Sequence, residues 1–147
     1  MYKNLLVATD GSKQSEKAVV HAIALAKKLG ARITAFYAAP GYPEPLYSEG
    51  LIYEVMPRSD YAAVAATAAA KILAKAARRA AAAKVECTTR HVLSHLPWEA
   101  ILAAAKKNKC DAIVMGSHGR GGLAALLLGS EAQRVLAHSK LPVIVVR

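Results

Sequence analysis

The chain has 147 residues, of which 54% are hydrophobic, and its formal net charge is +10. This size suits a compact domain with one core, so we expect a single domain over residues 1–147. The composition excludes a membrane-spanning protein, because lysines and arginines interrupt even the alanine-rich stretch of residues 62–83.

Strand-like and helix-like segments alternate along the chain. Short apolar runs predict strands, whereas apolar residues spaced three or four apart predict helices. In chain order the predicted elements are strand 5–9, helix 15–29, strand 32–37, helix 61–84, strand 85–92, helix 97–107, strand 112–115, helix 130–138 and strand 142–146. Residues 1–4 lead directly into the first strand and leave no room for a signal peptide, so we expect a cytoplasmic protein.

Three residues mark expected helix ends. Gly30 follows the first helix and suits a C-cap, because glycine adopts the left-handed conformation without steric cost. Pro97 suits the first turn of the third helix, where its missing N–H does no harm. Ser130 is the expected N-cap of the last helix.

The alternation of the elements predicts the fold class. Strands joined by helices imply right-handed β-α-β crossovers, and therefore an α/β fold with a parallel sheet and helices on both faces. The periodicity does not give the order of the five strands. Cys87 and Cys110 fall near the starts of two strands, and we expect both to be partly buried thiols without a disulfide or a metal.

Residues 40–60 form the least regular part of the chain. Three prolines in the first six residues exclude a helix there. So long a connection in a compact domain is typical of functional or mobile segments, and a lid and an exposed linker both fit. Residues 51–56 fit a short helical piece and an extended piece equally well.

The stretch GSHGRGGLAALLLGS lies between the fourth strand and the last helix. Glycines after a strand let the backbone approach a ligand, and a helix N-terminus offers N–H groups to an anion. Arg120 adds a positive charge that can pair with phosphate. The stretch has neither the Gly-Lys-Ser/Thr of a Walker loop nor the dinucleotide G-x-G-x-x-G pattern. These features alone leave a phosphate site and a structural turn equally open.

The glycine spacing resembles the nucleotide-binding signature of the universal stress protein family. The matching pattern is Gly116-x2-Gly119-x9-Gly129-Ser130. The resemblance extends to LLVATDGS at residues 5–12 and to PVIVV at residues 142–146. It implies the ATP-binding subtype of that family and an adenine nucleotide alpha hydrolase-like fold, a five-stranded parallel sheet in the order 3-2-1-4-5.

In that order the first and fourth strands are neighbours at a topological switch point, where ligands bind outside the carboxyl ends of the strands. Asp10 then has two open roles, an Asx-turn or the ribose contact that the resemblance implies. The resemblance also implies that Ala8 and Thr9 line the adenine side and that the backbone of Ala38 meets the base edge. His118 fits a phosphate donor and a loop residue equally well. The residues expected to bind the nucleotide are Ala8, Thr9, Asp10, Ala38, Gly116, Ser117, His118, Gly119, Arg120, Gly129, Ser130 and Glu131.

The sequence thus predicts an adenine-nucleotide-binding stress-response regulator, with ATP or AMP as its ligand, with or without Mg²⁺. Hydrolysis is expected to be slow or absent, because Glu131 is the one acidic residue of the motif and phosphoryl transfer needs a positioned nucleophile and a metal. We expect no catalytic residue and no metal-binding residue. A pyrophosphatase-type enzyme is disfavoured, because residues 9–13 lack the Ser-Gly-Gly-x-Asp-Ser loop.

A basic stripe on the second helix supports a competing function. Lys71, Lys75, Arg78 and Arg79 recur at helical spacing, which would suit docking on nucleic acid or an acidic protein. A solvated helix face is the simpler interpretation, since no nucleic-acid motif accompanies the stripe. We therefore do not expect a nucleic-acid partner.

The last strand predicts self-association. Residues 142–146 are apolar at successive positions and lie at the sheet edge in the implied order. An apolar edge strand exposes unpaired backbone groups, and pairing with a second copy would cover them. We expect a homodimer through this strand, as the family resemblance also implies.

Overall fold

The computed structural model of the protein describes residues 1–53, 56–118 and 128–147. All nine predicted elements are present, together with two short strands inside residues 40–60. In chain order the elements are β1 (Asn4–Ala8), α1 (Lys13–Leu29), β2 (Arg32–Pro40), β3 (Leu46–Ser48), β4 (Leu51–Tyr53), α2 (Arg58–Ala82), β5 (Cys87–Ser94), α3 (Pro97–Lys107), β6 (Ala112–Gly116), α4 (Ser130–His138) and β7 (Val143–Val146).

The main sheet has five strands in the order β5-β2-β1-β6-β7. Every neighbouring pair in it is parallel. Numbered along the chain within this sheet, the order is 3-2-1-4-5, which confirms the predicted α/β fold. Val7 of β1 lies opposite Ala35 of β2 on one side and Val114 of β6 on the other. The central strands are therefore held on both edges.

Two apolar cores cover the two faces of this sheet, because successive strand residues point to opposite sides. Leu5 and Val7 pack with α1 and α2 in one core. Leu6 and Ile113 pack with α3 and α4 in the other. All four side chains are at most 1% exposed.

The ends of α1 follow the residues that cap it. Ser12 is the N-cap, and its Oγ accepts a hydrogen bond from the N–H of Ser15 at 3.2 Å. Gly30 ends the helix with a φ of 64°, so the expected C-cap is confirmed.

Helix α4 corrects one prediction. Its N-cap is Gly129 rather than Ser130, which is the first helical residue. The carbonyl of Gly129 accepts the first helical hydrogen bond, from the N–H of Gln133 at 3.0 Å. The N–H of Gly129 donates to the carbonyl of Ser117 at 2.7 Å. This bond holds the backbone of Gly129 in place, so that the helix begins at Ser130.

Helix α2 and strand β5 are displaced from their predicted bounds. The helix begins at Arg58 and ends at Ala82, and the strand begins at Cys87. The earlier end of the helix follows from Lys84, whose φ of 59° is left-handed and ends the helix before residue 84. The N–H of Val85 then bonds back to the carbonyl of Ala80, so Val85 closes the helix instead of opening the strand.

Residues 40–60 contain a small antiparallel hairpin. Strands β3 and β4 pair through Tyr47 and Ile52, and Glu49 and Gly50 turn the chain with φ values of 50° and 77°. Residues 51–53 are therefore extended, which is one of the two conformations that the sequence left open for residues 51–56. The side chains of Tyr47 and Ile52 are 75% and 64% exposed, so the hairpin stands away from both cores.

No helix within residues 1–53, 56–118 and 128–147 is long and apolar enough to cross a membrane.

A substitution in the core between the sheet and helices α3 and α4 tests the fold directly. Leu6→Ala should destabilise the protein by about 2–5 kcal/mol, because the deletion leaves a cavity under α3 and α4. Val20→Ala is the matched control, since Val20 is 53% exposed on α1, and its cost should stay within about 0.5 kcal/mol. Urea unfolding measures both, and equal costs would contradict the assigned core.

Candidate functional site

A pocket of about 380 Å³ opens at the carboxyl ends of β1, β2 and β6. Its volume lies in the range of small-molecule sites, about 300–1,000 Å³. It forms where the strand order reverses between β1 and β6, the place at which parallel α/β sheets bind ligands. Ten of the residues expected from the sequence line it: Ala8, Thr9, Asp10, Ala38, Gly116, Ser117, His118, Gly129, Ser130 and Glu131. Gly119 and Arg120, also expected there, lie outside the described residues.

The turn after β1 is held by short polar side chains. Asp10 Oδ1 accepts from the N–H of Ser12 at 2.9 Å, which is the Asx-turn that the sequence allowed. The side chains of Thr9 and Ser15 are both buried, and Thr9 Oγ1 and Ser15 Oγ form a hydrogen bond of 3.0 Å with each other. The N–H of Gly11 donates to Thr9 Oγ1 at 3.3 Å. These bonds fix Asp10 at the pocket wall before any ligand is present.

Gly116 allows helix α1 to pack closely against the end of β6. A Cβ at this position would lie 3.1 Å from the backbone carbon, the backbone oxygen and the Cγ of Gln14. Helix α1 therefore occupies the space that a side chain at this position would need. The missing side chain lets Gln14 reach the end of β6.

Gly129 allows a second close approach. A Cβ on it would lie 2.8 Å from the carbonyl oxygen of Ser117 and 3.7 Å from His118 Cδ2. The start of α4 thus presses against the two residues that follow β6. The two described ends of the glycine-rich stretch are joined at this point.

The first turn of α4 faces the same pocket through Ser130, Glu131 and Ala132. The N–H groups of a helix's first turn have no partner within the helix, and the helix dipole places partial positive charge there. This end of the pocket therefore favours an anion.

Glu131 has a structural task that the sequence did not indicate. Its Oε2 accepts from the N–H of Trp98 at 2.8 Å, in the first turn of α3. Helix α3 has no cap from its own N-cap residue, Leu96, so Glu131 supplies one. Its Oε1 lies 3.3 Å from Arg134 Nη1. The carboxylate thus joins α3 to α4 at the pocket rim.

Ser117 and His118 form a polar link with Gln14. The side-chain amide of Gln14 donates to Ser117 Oγ at 3.2 Å and to the carbonyl of Val146 at 2.9 Å. Ser117 Oγ lies 3.0 Å from His118 Nδ1. His118 Nε2 is buried and has no hydrogen-bond partner among the described residues. Gln14 was missed from the sequence, because its partners lie 103 and 132 residues away.

The opposite side of the pocket is apolar. Phe36 and Ile101 are 1% and 6% exposed, and both line it beside Ala8 and Ala38. The N–H of Thr9 donates to the carbonyl of Phe36 at 2.9 Å, which holds β1 and β2 together at this point. A flat apolar group fits between such walls, whereas the α4 end suits a charged one.

The two cysteines lie away from the pocket. Within the described ranges no group of three or more His, Cys, Asp or Glu side chains could hold a metal ion. Cys87 and Cys110 are free thiols, and burial raises the pKa of each above that of an ordinary cysteine. Both therefore stay protonated at neutral pH, and neither lines the pocket.

The basic stripe of α2 is partly neutralised by α1. Lys75 pairs with Glu16, and Arg79 Nη2 lies 3.6 Å from the other oxygen of the same carboxylate. The hydrogen bond from Lys75 holds the pKa of Glu16 below its ordinary value, despite a smaller opposing contribution from burial. The stripe therefore stabilises the contact between two helices as well as facing solvent.

The model of the universal stress protein family matches residues 1–147, the whole chain. The protein belongs to the universal stress protein family. It is 36% identical to a universal stress protein of Methanocaldococcus jannaschii over 151 residues, which cover 100% of this chain and 83% of the relative. It is also 36% identical to a universal stress protein of Thermus aquaticus over 147 residues, which cover both chains completely.

A solved structure of a universal stress protein in complex with cAMP has the same architecture. The two chains are 28% identical and superpose with a TM-score of 0.74, over 99% of this chain and 97% of the other. That protein holds an adenine nucleotide.

The contact at Gly129 predicts a stability difference between two neighbouring positions. Gly129→Ala should cost about 1–3 kcal/mol, because the added methyl group meets the Ser117 carbonyl and must displace α4. Ser130→Ala is the control and should stay within about 0.5 kcal/mol, since Ser130 is the first helical residue and not the N-cap. Thermal and urea unfolding measure both. The reverse ranking would restore Ser130 as the N-cap.

Proposed function

We propose that this universal stress protein binds ATP or AMP in the pocket between β1 and β6. The observation that carries the proposal is the division of the pocket into an apolar side and an anion-favouring side. An adenine nucleotide has the same two parts, a flat base and a charged phosphate group. The cAMP complex of a relative supports the same class of ligand.

The base lies against Phe36, Ile101, Ala8 and Ala38 in this proposal. Burial of the ring faces against these side chains supplies apolar contact, and the Ala38 backbone meets the polar base edge. Asp10 then stands between the two halves of the pocket, where its carboxylate accepts hydrogen bonds from the ribose hydroxyls. The Asx-turn to Ser12 keeps that carboxylate in place.

The phosphates lie at the N-terminus of α4. The N–H groups of Ser130 and Glu131, together with the Ser130 hydroxyl, supply donors, and Ser117 and His118 form the adjoining wall. By the glycine pattern, Gly119 and Arg120 complete this half. The net charge of +10 attracts nucleotides to the molecule as a whole.

Binding, rather than turnover, is the proposed activity, and the role is that of a stress-response regulator in the cytoplasm. Glu131 does not serve as a general base, because its two oxygens are engaged by Trp98 and Arg134. Hydrolysis is therefore slow or absent, and Mg²⁺ would reach the site with the nucleotide. Docking on nucleic acid is the weaker proposal, since Glu16 offsets part of the positive charge of α2.

Isothermal titration with ATP, AMP and adenosine tests the proposal. Ser130→Asp should weaken ATP binding by at least about tenfold through repulsion of the phosphates, and should leave adenosine binding within about twofold. Aspartate is well tolerated in the first turn of a helix, so the fold should persist.

Thr67→Glu is the control for this experiment, because it makes the same change in charge on the exposed face of α2. It should leave the binding of ATP and adenosine unchanged. The proposal would be wrong if the unmodified protein showed no heat of binding with millimolar ATP and no thermal stabilisation by it.

A homodimer through β7 is the second part of the proposal. This strand forms one edge of the sheet, and Val143, Ile144, Val145 and Val146 are each half-buried within one copy. The opposite edge, β5, carries Arg90 and His91, which discourage strand pairing there. Antiparallel pairing of two β7 strands would satisfy the outer backbone groups and close the assembly with twofold symmetry.

Light scattering tests the dimer. The unmodified protein should have the mass of two chains at about tens of micromolar, and Ile144→Glu should shift it to one chain. Val64→Glu, on the exposed face of α2, controls for the added charge and should remain dimeric. A single-chain mass for the unmodified protein would exclude this interface, and circular dichroism shows whether the Ile144 variant is folded.

A further inference from the structure

Gln14 makes two hydrogen bonds whose direction can be assigned. Its amide lies 2.9 Å from the carbonyl oxygen of Val146 and 3.2 Å from Ser117 Oγ. A backbone carbonyl only accepts, so the amide group facing it must be the nitrogen, which carries two hydrogens. One hydrogen therefore goes to Val146 and the other to Ser117.

The bond from Gln14 determines what the Ser117 hydroxyl does next. The side chain of Ser117 is buried, 3% exposed, and accepts from Gln14 at its oxygen. The hydrogen of the Ser117 hydroxyl also needs an acceptor. Among the described residues, His118 Nδ1 can accept it, because this nitrogen lies 3.0 Å from Ser117 Oγ. Ser117 thus donates to Nδ1, and the neutral imidazole carries its hydrogen on Nε2.

His118 Nε2 then becomes a buried donor that lacks a partner among the described residues. A buried polar group without a hydrogen bond is costly, and such groups are usually satisfied by another molecule or by water. The imidazole Cδ2, which is bonded to Nε2, lies 3.7 Å from the position of a Cβ on Gly129. The unpartnered N–H therefore lies close to the N-cap of α4, at the end of the pocket that favours an anion.

We propose that Gln14 and Ser117 set the tautomer of His118 so that Nε2–H donates to a phosphate oxygen of the bound nucleotide. This inference rests on the proposed nucleotide site and adds the means by which the phosphate is recognised. His118 touches the ligand, whereas Gln14 is a positioning residue that acts through Ser117. Because Gln14 also holds the carbonyl of Val146, the chain of hydrogen bonds begins at the edge strand β7 and ends at the phosphate.

Gly116 is part of the same device. Its missing side chain lets the backbone of Gln14 come within 3.1 Å of the Cβ position, so the amide can reach both Ser117 and Val146. A larger residue would push α1 away and break the first bond of the chain.

Gln14→Glu should reverse the direction of the hydrogen bonds between residue 14, Ser117 and His118, with little change in the shape of the side chain. A carboxylate only accepts, so it takes the hydrogen of Ser117, and His118 must then donate from Nδ1 to the serine. Nε2 is left as a bare acceptor facing the phosphate. Gln14→Met is the neutral companion, because it removes the amide donor without adding charge.

Two measurements follow the change. Long-range ¹H–¹⁵N spectra of ¹⁵N-histidine-labelled protein at about pH 8, where an ordinary imidazole is neutral, report the tautomer of His118 without any nucleotide. Titration calorimetry compares ATP with adenosine. We expect the Nε2–H tautomer in the unmodified protein, the Nδ1–H tautomer in Gln14→Glu, and a loss of at least about tenfold in ATP affinity with adenosine within about twofold.

Lys17→Gln is the matched control, because it removes one positive charge from the exposed face of α1, one turn from Gln14. It should keep the Nε2–H tautomer and the ATP-to-adenosine ratio. Gln14→Met should lower the same ratio without any change in charge, which serves if Gln14→Glu does not fold.

The outcomes separate this inference from the proposed function. An Nδ1–H tautomer in the unmodified protein, or an unchanged ATP-to-adenosine ratio in both Gln14 variants, overturns the role of Gln14 and His118 while the nucleotide site stands. Failure of the unmodified protein to bind either ligand overturns the site itself, and the donor role falls with it.

Discussion

The parallel pairing of β1 with β6 is the constraint on which the site depends. Leu6 lies opposite Ile113 in the register, so the turn that holds Asp10 and the segment that begins at Gly116 leave the sheet side by side. Because the chain runs outward in opposite directions from this pair of strands, no crossover helix covers the gap between them. The position of the pocket therefore follows from the strand order and does not depend on which side chains line it.

Two glycines, Gly116 and Gly129, define the walls of that gap, because each lets a neighbouring backbone segment pack closely against it. Gly116 admits the start of α1, which packs on one face of the sheet, and Gly129 admits the segment after β6 to the start of α4, which packs on the other. A methyl group at either place would separate parts that hydrogen-bond each other. Both glycines are therefore needed for the protein's own packing, and the anion-favouring helix end results from that packing.

Much of the fold was predictable because it follows from local periodicity. Pro97–Lys107 and Ser130–His138 have the predicted bounds, and the buried strands are apolar at successive positions. The hairpin of β3 and β4 was not predictable, since two three-residue strands that leave Leu46, Tyr47, Leu51 and Ile52 exposed resemble a linker. The structural roles of Gln14 and Glu131 escaped for a different reason: their partners, Ser117 and Trp98, are distant in sequence and share no pattern with them. Periodicity and motifs describe the neighbours along the chain, whereas these two side chains act across the sheet.

The same long-range contacts connect the anion-favouring end of the pocket to the edge of the sheet. The carbonyl of Val146 accepts from the N–H of Ser117 at 2.9 Å and from the side chain of Gln14 at the same distance. Strand β7 therefore holds Ser117 by its backbone and, through Gln14, by its side chain. If a second copy pairs with β7, it restrains the strand that holds Ser117. Linkage then requires the reverse as well: a nucleotide that favours one position of Ser117 must favour the matching position of β7, and so change the affinity of the two copies for each other.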